Sequence, residues 1–288
     1  MKKSRVKSNI KATPSDIFVW TLMGLLIAFY FGSLIYFAVI GRVRDSLLTL
    51  VYMLIVPLYF IIEKRLHVKI QPLDAVILFT FVLFCELGAS YNLYTIIPCL
   101  DDVLHSVWGI VFTVLGFTII KSFMGEPETK KAFIVYAVFG FAFCCLTAVL
   151  WEILEFSTDM ILPSMDQQED TIITSIKSFL LYPGYDHLHT MDIDGIAYTV
   201  LYDAEGNILY TIQGGYLDIG IMDTMYDIIF CTLLSCILSA ALIIERCAGK
   251  SGLYNAVIPR LVPVKEPEKA PSTEVSADGD DEPVAVRD

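Results

Sequence analysis

The sequence predicts an all-α polytopic membrane protein of about six transmembrane helices, with a small extracytoplasmic β-hairpin inserted between the last two. Three observations carry this. Of 288 residues, 56% are apolar and 18% charged, whereas soluble domains run near ~45–50% and ~25%. The apolar residues fall in long uninterrupted blocks, and the mean hydropathy is +0.63. Between the fifth and sixth blocks lie two short runs of alternating β-rich residues around a turn. This composition excludes a disordered chain, a small disulfide scaffold and most soluble enzymes.

A bilayer core about 30 Å thick needs about 20 helical residues. Residues 17–40 meet that without a charge, and 47–62 are shorter, with Pro57 inside, so they span with a kink or tilt. Residues 75–94 carry Glu86, 103–120 carry His105, 132–156 carry Glu152 and Glu155, and 224–244 carry Asp227. The first block is far longer than a secretory h-region and no small-residue cleavage site follows, so it reads as a retained anchor. In the loop 158–222, the runs 196–202 and 208–212 flank Asp203-Ala-Glu-Gly-Asn207, a turn composition, and predict a hairpin over 196–212. Residues 175–182 are expected to form a short amphipathic piece on the membrane surface.

The net charge of −12 is unevenly placed. The first sixteen residues carry +4, the loop 158–222 carries −9 and residues 266–288 carry −6, leaving −1 for the rest. So acidic a chain is not expected to bind nucleic acid. Orientation follows from Lys and Arg in short loops. The five N-terminal cations share a side with Lys64, Arg65, Lys69, Lys121, Lys130, Lys131, Arg246 and Lys250; the other side holds Arg42, Arg44 and Lys177. Both termini are therefore expected in the cytoplasm of a bacterium, the chain being multi-pass in its plasma (inner) membrane. The basic residues 1–16 form the cytoplasmic N-terminus, and residues 245–288 an acidic cytoplasmic tail, disordered from about 263. Of seven cysteines, Cys85, Cys144, Cys145, Cys231 and Cys236 lie in spans, Cys247 is cytoplasmic and only Cys99 is expected outside, so no disulfide framework is predicted.

The candidate site rests on ionisable residues where lipid makes them costly, about 2.5–3.5 kcal/mol each at mid-bilayer on insertion scales. Asp101 and His105 are four apart, with Asp102 between them, at the outer end of the fourth span. Glu152 and Glu155 are three apart near the outer end of the fifth, and Asp223 and Asp227 four apart at the outer start of the sixth. Each spacing places the pair on one helical face, and the topology brings all three pairs to one leaflet. Capping explains Asp101 and Asp102 on their own. Carboxylates at contact distance repel unless a cation, a proton or a donor intervenes. Oxygens plus one imidazole suit a divalent metal ion, with zinc, manganese, iron, magnesium and calcium all acceptable; a proton-sharing network uses the same residue types. Glu86 is a further candidate. Trp108, Trp151 and Tyr226 read as interfacial belt aromatics, and the string Asp186, His187, His189, Asp192, Asp194 as a solvated loop. No other cofactor motif is present in a supporting context.

At these residues the chain resembles the YjdF-type family of uncharacterised bacterial inner-membrane proteins. The shared pattern is Asp101–His105–Gly109, then Glu152–Glu155–Phe156, then Asp223–Thr224–Asp227. Phe156 stands where tryptophan is usual, and the loop before the last span is expanded. The resemblance covers the third span through the sixth and extends more distantly to VanZ-like membrane proteins. It implies a polytopic bacterial membrane protein and no particular reaction.

Three functions remain open on the sequence. The first is an envelope-facing binding or catalytic site built on a divalent metal held by Asp101, His105, Glu152, Glu155 and Asp227, with Asp223 behind them. The second is a small proton-coupled transporter or permease using the same carboxylates, against which stands the lack of an internal repeat. The third is a structural or interaction protein whose hairpin docks an envelope or membrane-protein partner. Besides the lipid bilayer no partner is specified, and oligomeric state and turnover are left open.

Overall fold

A chain in hydrocarbon must satisfy its backbone polar groups internally, so each apolar block becomes a helix. The computed structural model describes residues 13–161, 171–184, 188–218 and 220–262. The basic residues 1–12, Asp186, His187 and the acidic tail from 263 lie outside the described residues. Helix α1 (Pro14–Val39) starts on a capping box in which Thr13 and Asp16 exchange hydrogen bonds. The second apolar block forms α2 (Val43–Ile55) and α3 (Leu58–Leu66), broken at Pro57, which cannot donate a helical hydrogen bond. A short strand β1 (Val68–Lys69) precedes α4 (Pro72–Tyr91), the single turn α5 (Leu93–Ile96), α6 (Leu100–Met124) and α7 (Lys130–Ile161).

The loop that follows holds small antiparallel pairs: β2 (Ile172–Ile173), β3 (Ile176–Ser178), β4 (Met191–Ile193), β5 (Tyr198–Tyr202), β6 (Ile208–Gln213) and β7 (Tyr216–Leu217). Strand β2 pairs with β7, β3 with β4 and β5 with β6. The chain returns as α8 (Ile221–Cys247), turns into α9 (Gly252–Val257) and ends in β8 (Arg260–Leu261), which pairs with β1.

The protein is thus mainly helical, with six segments long and apolar enough to cross a membrane: Pro14–Val39, Val43–Leu66, Pro72–Tyr91, Leu100–Met124, Lys130–Thr158 and Ile221–Cys247. Their outward faces carry exposed aliphatic residues such as Leu25, Val39, Ile153 and Ile237, as expected where lipid is the solvent. Helices α1, α2 and α4 pack together, α6, α7 and α8 pack together, and α4 lies against α6. The first group, with Tyr59 of α3, is centred on Tyr30 and Phe79, the second on Phe117, Phe133 and Leu242.

Small residues set the spacing in the second group. A Cβ on Gly140 of α7 would stand 2.7 Å from the Thr113 carbonyl of α6, and one on Gly109 of α6 2.5 Å from the Cys231 carbonyl of α8. Close backbone approach of this kind is what gives membrane helices their contact energy.

The hairpin forms as β5 and β6, with a bulge at Leu201/Tyr202. Residues 175–182, expected to form a short amphipathic piece, contain β3 and a 3-10 turn at Phe179–Leu181; β4 supplies β3 with a partner strand that the local sequence does not reveal. In the hairpin turn, the Asp203 carboxylate accepts hydrogen bonds from the backbone N–H of Glu205 and Asn207 and from the Asn207 side chain. The Asn207 side chain beside it, with these backbone donors, holds the carboxyl below its usual pKa. A depressed pKa stabilises the fold above the unfolded-state value and is lost as pH falls through the folded one. The turn should therefore persist through mild acid and loosen only below the ordinary carboxylate range. Asp203→Ala should loosen it at neutral pH, read as faster amide hydrogen exchange in β5 and β6 with no change in exchange of α6.

Candidate functional site

Asp101 lies in the first turn of α6 and His105 one turn later on the same face. Helix α7 runs antiparallel beside them and ends with Glu152 and Glu155, and α8 returns with Asp223 and Asp227 in its first two turns. The Asp218 carboxylate accepts the Met222 backbone N–H at 2.6 Å, satisfying one of the orphan donors where α8 begins.

His105, Asp227, Glu152 and Cys231 are buried, at 9, 2, 5 and 0% exposure. The two ring nitrogens of His105 face different groups. Its Nε2 is 3.7 Å from Asp101 Oδ2 and 3.6 Å from Asp227 Oδ1. Its Nδ1 is 4.0 Å from Glu152 Oε1 and 3.7 Å from Cys231 Sγ. The Cys231 thiol also donates to the His105 carbonyl at 3.2 Å, tying α8 to α6. One ligand atom each from Asp101, His105 and Asp227 lie within 4.8 Å of one another.

The Nε2-to-oxygen distances exceed those of N–H···O hydrogen bonds, about 2.7–3.2 Å. They are close to the edge of a tetrahedron of ligands about 2.1 Å from its centre, about 3.4 Å. Glu152 Oε2 is buried with no hydrogen-bond partner among the described residues. The arrangement is that of an imidazole whose Nε2 points at two carboxylates and whose Nδ1 is backed by a third.

The remaining predicted residues stand further out. Glu155 Oε1 accepts the Trp151 indole N–H at 2.8 Å. Asp223 lies one turn before Asp227 and is half-buried, as is Asp102. Glu86 is fully buried between α2 and α4, where it accepts from Thr49 and Ser90, and it is not brought to His105. Trp108 stacks on Phe112 at 4.1 Å and lies 5.3 Å from Trp151, so both indoles are inter-helix packing groups as well as interfacial ones. In the loop between α7 and α8, His189 stacks on Tyr182 and Asp192 pairs with Lys177.

One residue at the site was given no role there from the sequence: Cys231, read only as a cysteine within a span. A signal existed for it, since Cys231 follows Asp227 by one turn and extends the same stripe. Gly109, part of the shared pattern, admits the α8 backbone one turn below His105.

The comparison with curated proteins gave no match, nor did that with solved structures. A family model described as "Predicted membrane protein (DUF2238)" matches residues 18–180. The matched segment includes Asp101, His105, Glu152 and Glu155 and stops before Asp223 and Asp227. Since it spans more than half of the 288 residues, the chain belongs to the DUF2238 family of predicted membrane proteins.

Proposed function

We propose that this protein is a multi-pass protein of the bacterial inner membrane holding a divalent metal ion in its envelope-facing leaflet. The observation that carries this is the approach of Asp101 Oδ2 and Asp227 Oδ1 to His105 Nε2 at 3.7 and 3.6 Å, with the three ligand atoms within 4.8 Å of one another and His105 and Asp227 buried. Two carboxylates flanking one nitrogen, Asp227 buried and Asp101 half-buried, would repel each other without a cation. Glu152 stands 4.0 Å behind Nδ1, beyond hydrogen-bond length but on the side from which carboxylates orient metal-bound histidines. Bound there, the ion supplies a Lewis acid that polarises a phosphate or carbonyl oxygen or activates water. The protein residues fix its position and keep it at the lipid interface.

The orientation rests on the distribution of Lys and Arg and on the likeness to YjdF-type proteins. Arg42, one of the two cations that run against that distribution, is paired with Asp45 at 2.6 Å and lies over Phe37.

The test is elemental analysis of native protein purified without chelator, joined to thermal melting with and without added zinc, manganese, iron, magnesium and calcium. The expected result is one ion per chain and a melting temperature raised by the same ion. Metal-free native protein whose melting no ion shifts would sink the proposal in favour of a proton-sharing network in the same carboxylates.

A further inference from the structure

At the opposite end of the bundle from His105, a pocket of about 310 Å³ opens between the start of α7, the end of α8 and the turn into α9. Its lining is Glu128, Lys130, Arg246, Gly249, Lys250 and Ser251. Three cations from two stretches of chain more than a hundred residues apart thus converge on one concavity against a single carboxylate. We propose that this pocket binds the phosphate headgroup of an anionic glycerophospholipid.

Two of the three cations are held rather than splayed. Lys130 Nζ donates to the Cys247 carbonyl at 3.1 Å. Arg246 donates through one terminal nitrogen to the Pro127 carbonyl at 3.1 Å, and its guanidinium lies over the Phe133 ring, 5.5 Å from the centroid. Each contact uses one N–H, whereas an ammonium carries three and a guanidinium five. Gly249, with φ of +72°, makes the turn that swings Lys250 to the rim. The neighbouring Glu245 is committed elsewhere, its carboxylate accepting the backbone N–H groups of Leu253 and Tyr254 at 2.7 and 2.9 Å.

Place selects the ligand. Lys130 begins one membrane-crossing segment and Cys247 ends another, so the pocket sits at headgroup depth. Ile134 and Ile244, within a turn of it on the same two helices, are exposed toward the apolar zone. Basic pockets between transmembrane helices at this level suit acidic headgroups, and a guanidinium matches phosphate geometry. Setting orientation requires only that cations lie on one side; it does not require them to face one pocket with their heads fixed.

The experiment uses full-length protein in neutral detergent. Thermal melting and native mass spectrometry are run with phosphatidylglycerol, with phosphatidylcholine, and with inorganic phosphate and glycerol 3-phosphate as soluble arms. The expected result is a retained one-to-one phosphatidylglycerol adduct and a raised melting temperature, with no comparable effect of phosphatidylcholine. Lys130→Gln with Lys250→Gln should weaken phosphatidylglycerol binding by about 30-fold, the factor that two interfacial cations contribute. Should the double variant melt early without lipid, Lys250→Gln alone, in the turn outside the spans, gives the same reading at about 5-fold. Equal effects of the two lipids, or variants that bind phosphatidylglycerol as wild type does, would overturn the proposal. Soluble phosphates that bind as tightly as the lipid would overturn the lipid source.

Discussion

On the proposed metal reading, His105→Ala should release the ion and weaken divalent-metal affinity by more than about 100-fold, beyond the about 10–100-fold typical when only an orienting contact is removed. The reason is geometric. Nε2 is the one atom that both Asp101 and Asp227 face, at 3.7 and 3.6 Å, so its loss leaves two carboxylates without the neutral ligand between them. Glu152→Gln should cost about 10–100-fold, because it removes the charge behind Nδ1 and leaves Nε2 in place. Glu155→Ala should retain the metal, since its carboxylate is engaged by Trp151. Metal content of the purified variants and titration of the apo-proteins check the ranking. Release by Glu155→Ala ahead of Glu152→Gln would show that the assignment of roles to the two glutamates is reversed.

Gly109→Val should lower both the melting temperature and the metal affinity. The first carbon added at this position would meet the Cys231 carbonyl oxygen at 2.5 Å, a backbone atom that a rotamer change cannot move. Overpacking of this kind costs about 1–3 kcal/mol, and relief requires α8 to retreat from α6. Asp227 lies one turn from Cys231 on α8, as His105 lies one turn from Gly109 on α6, so retreat widens the gap that the proposed metal would bridge. Gly116→Val is the control. It would clash with Phe143 and Gly140 of α7 instead of with α8, and should lower the melting temperature while leaving metal affinity near wild type. Equal metal affinity in Gly109→Val and wild type would show that the α6–α8 spacing does not set the site.

Much of the fold is legible in the chain because lipid imposes a simple rule. Residues 17–40, 75–94, 103–120, 132–156 and 224–244 each lie over an observed membrane-length helix, and Pro57 breaks the second span as its missing N–H requires. The hairpin is equally local, since β-rich runs flank a turn that Asp203 and Asn207 stabilise by themselves. The pairs β1 with β8 and β2 with β7 were not legible, because each joins two-residue strands whose partners lie far along the chain.

For the site, the i, i+3 and i, i+4 spacings by themselves determined that Asp101 shares a face with His105, Glu152 with Glu155 and Asp223 with Asp227, since helix geometry fixes which neighbours align. Only the tertiary structure decided which member of each pair faces inward. Asp227 reaches Nε2 while Asp223 stays half-buried, Glu152 backs Nδ1 while Glu155 turns to Trp151, and Glu86 joins Thr49 and Ser90 in another interface. The rotation of each helix about its axis makes that choice, and close contacts between segments distant in sequence, such as Gly109 against Cys231, set the rotation.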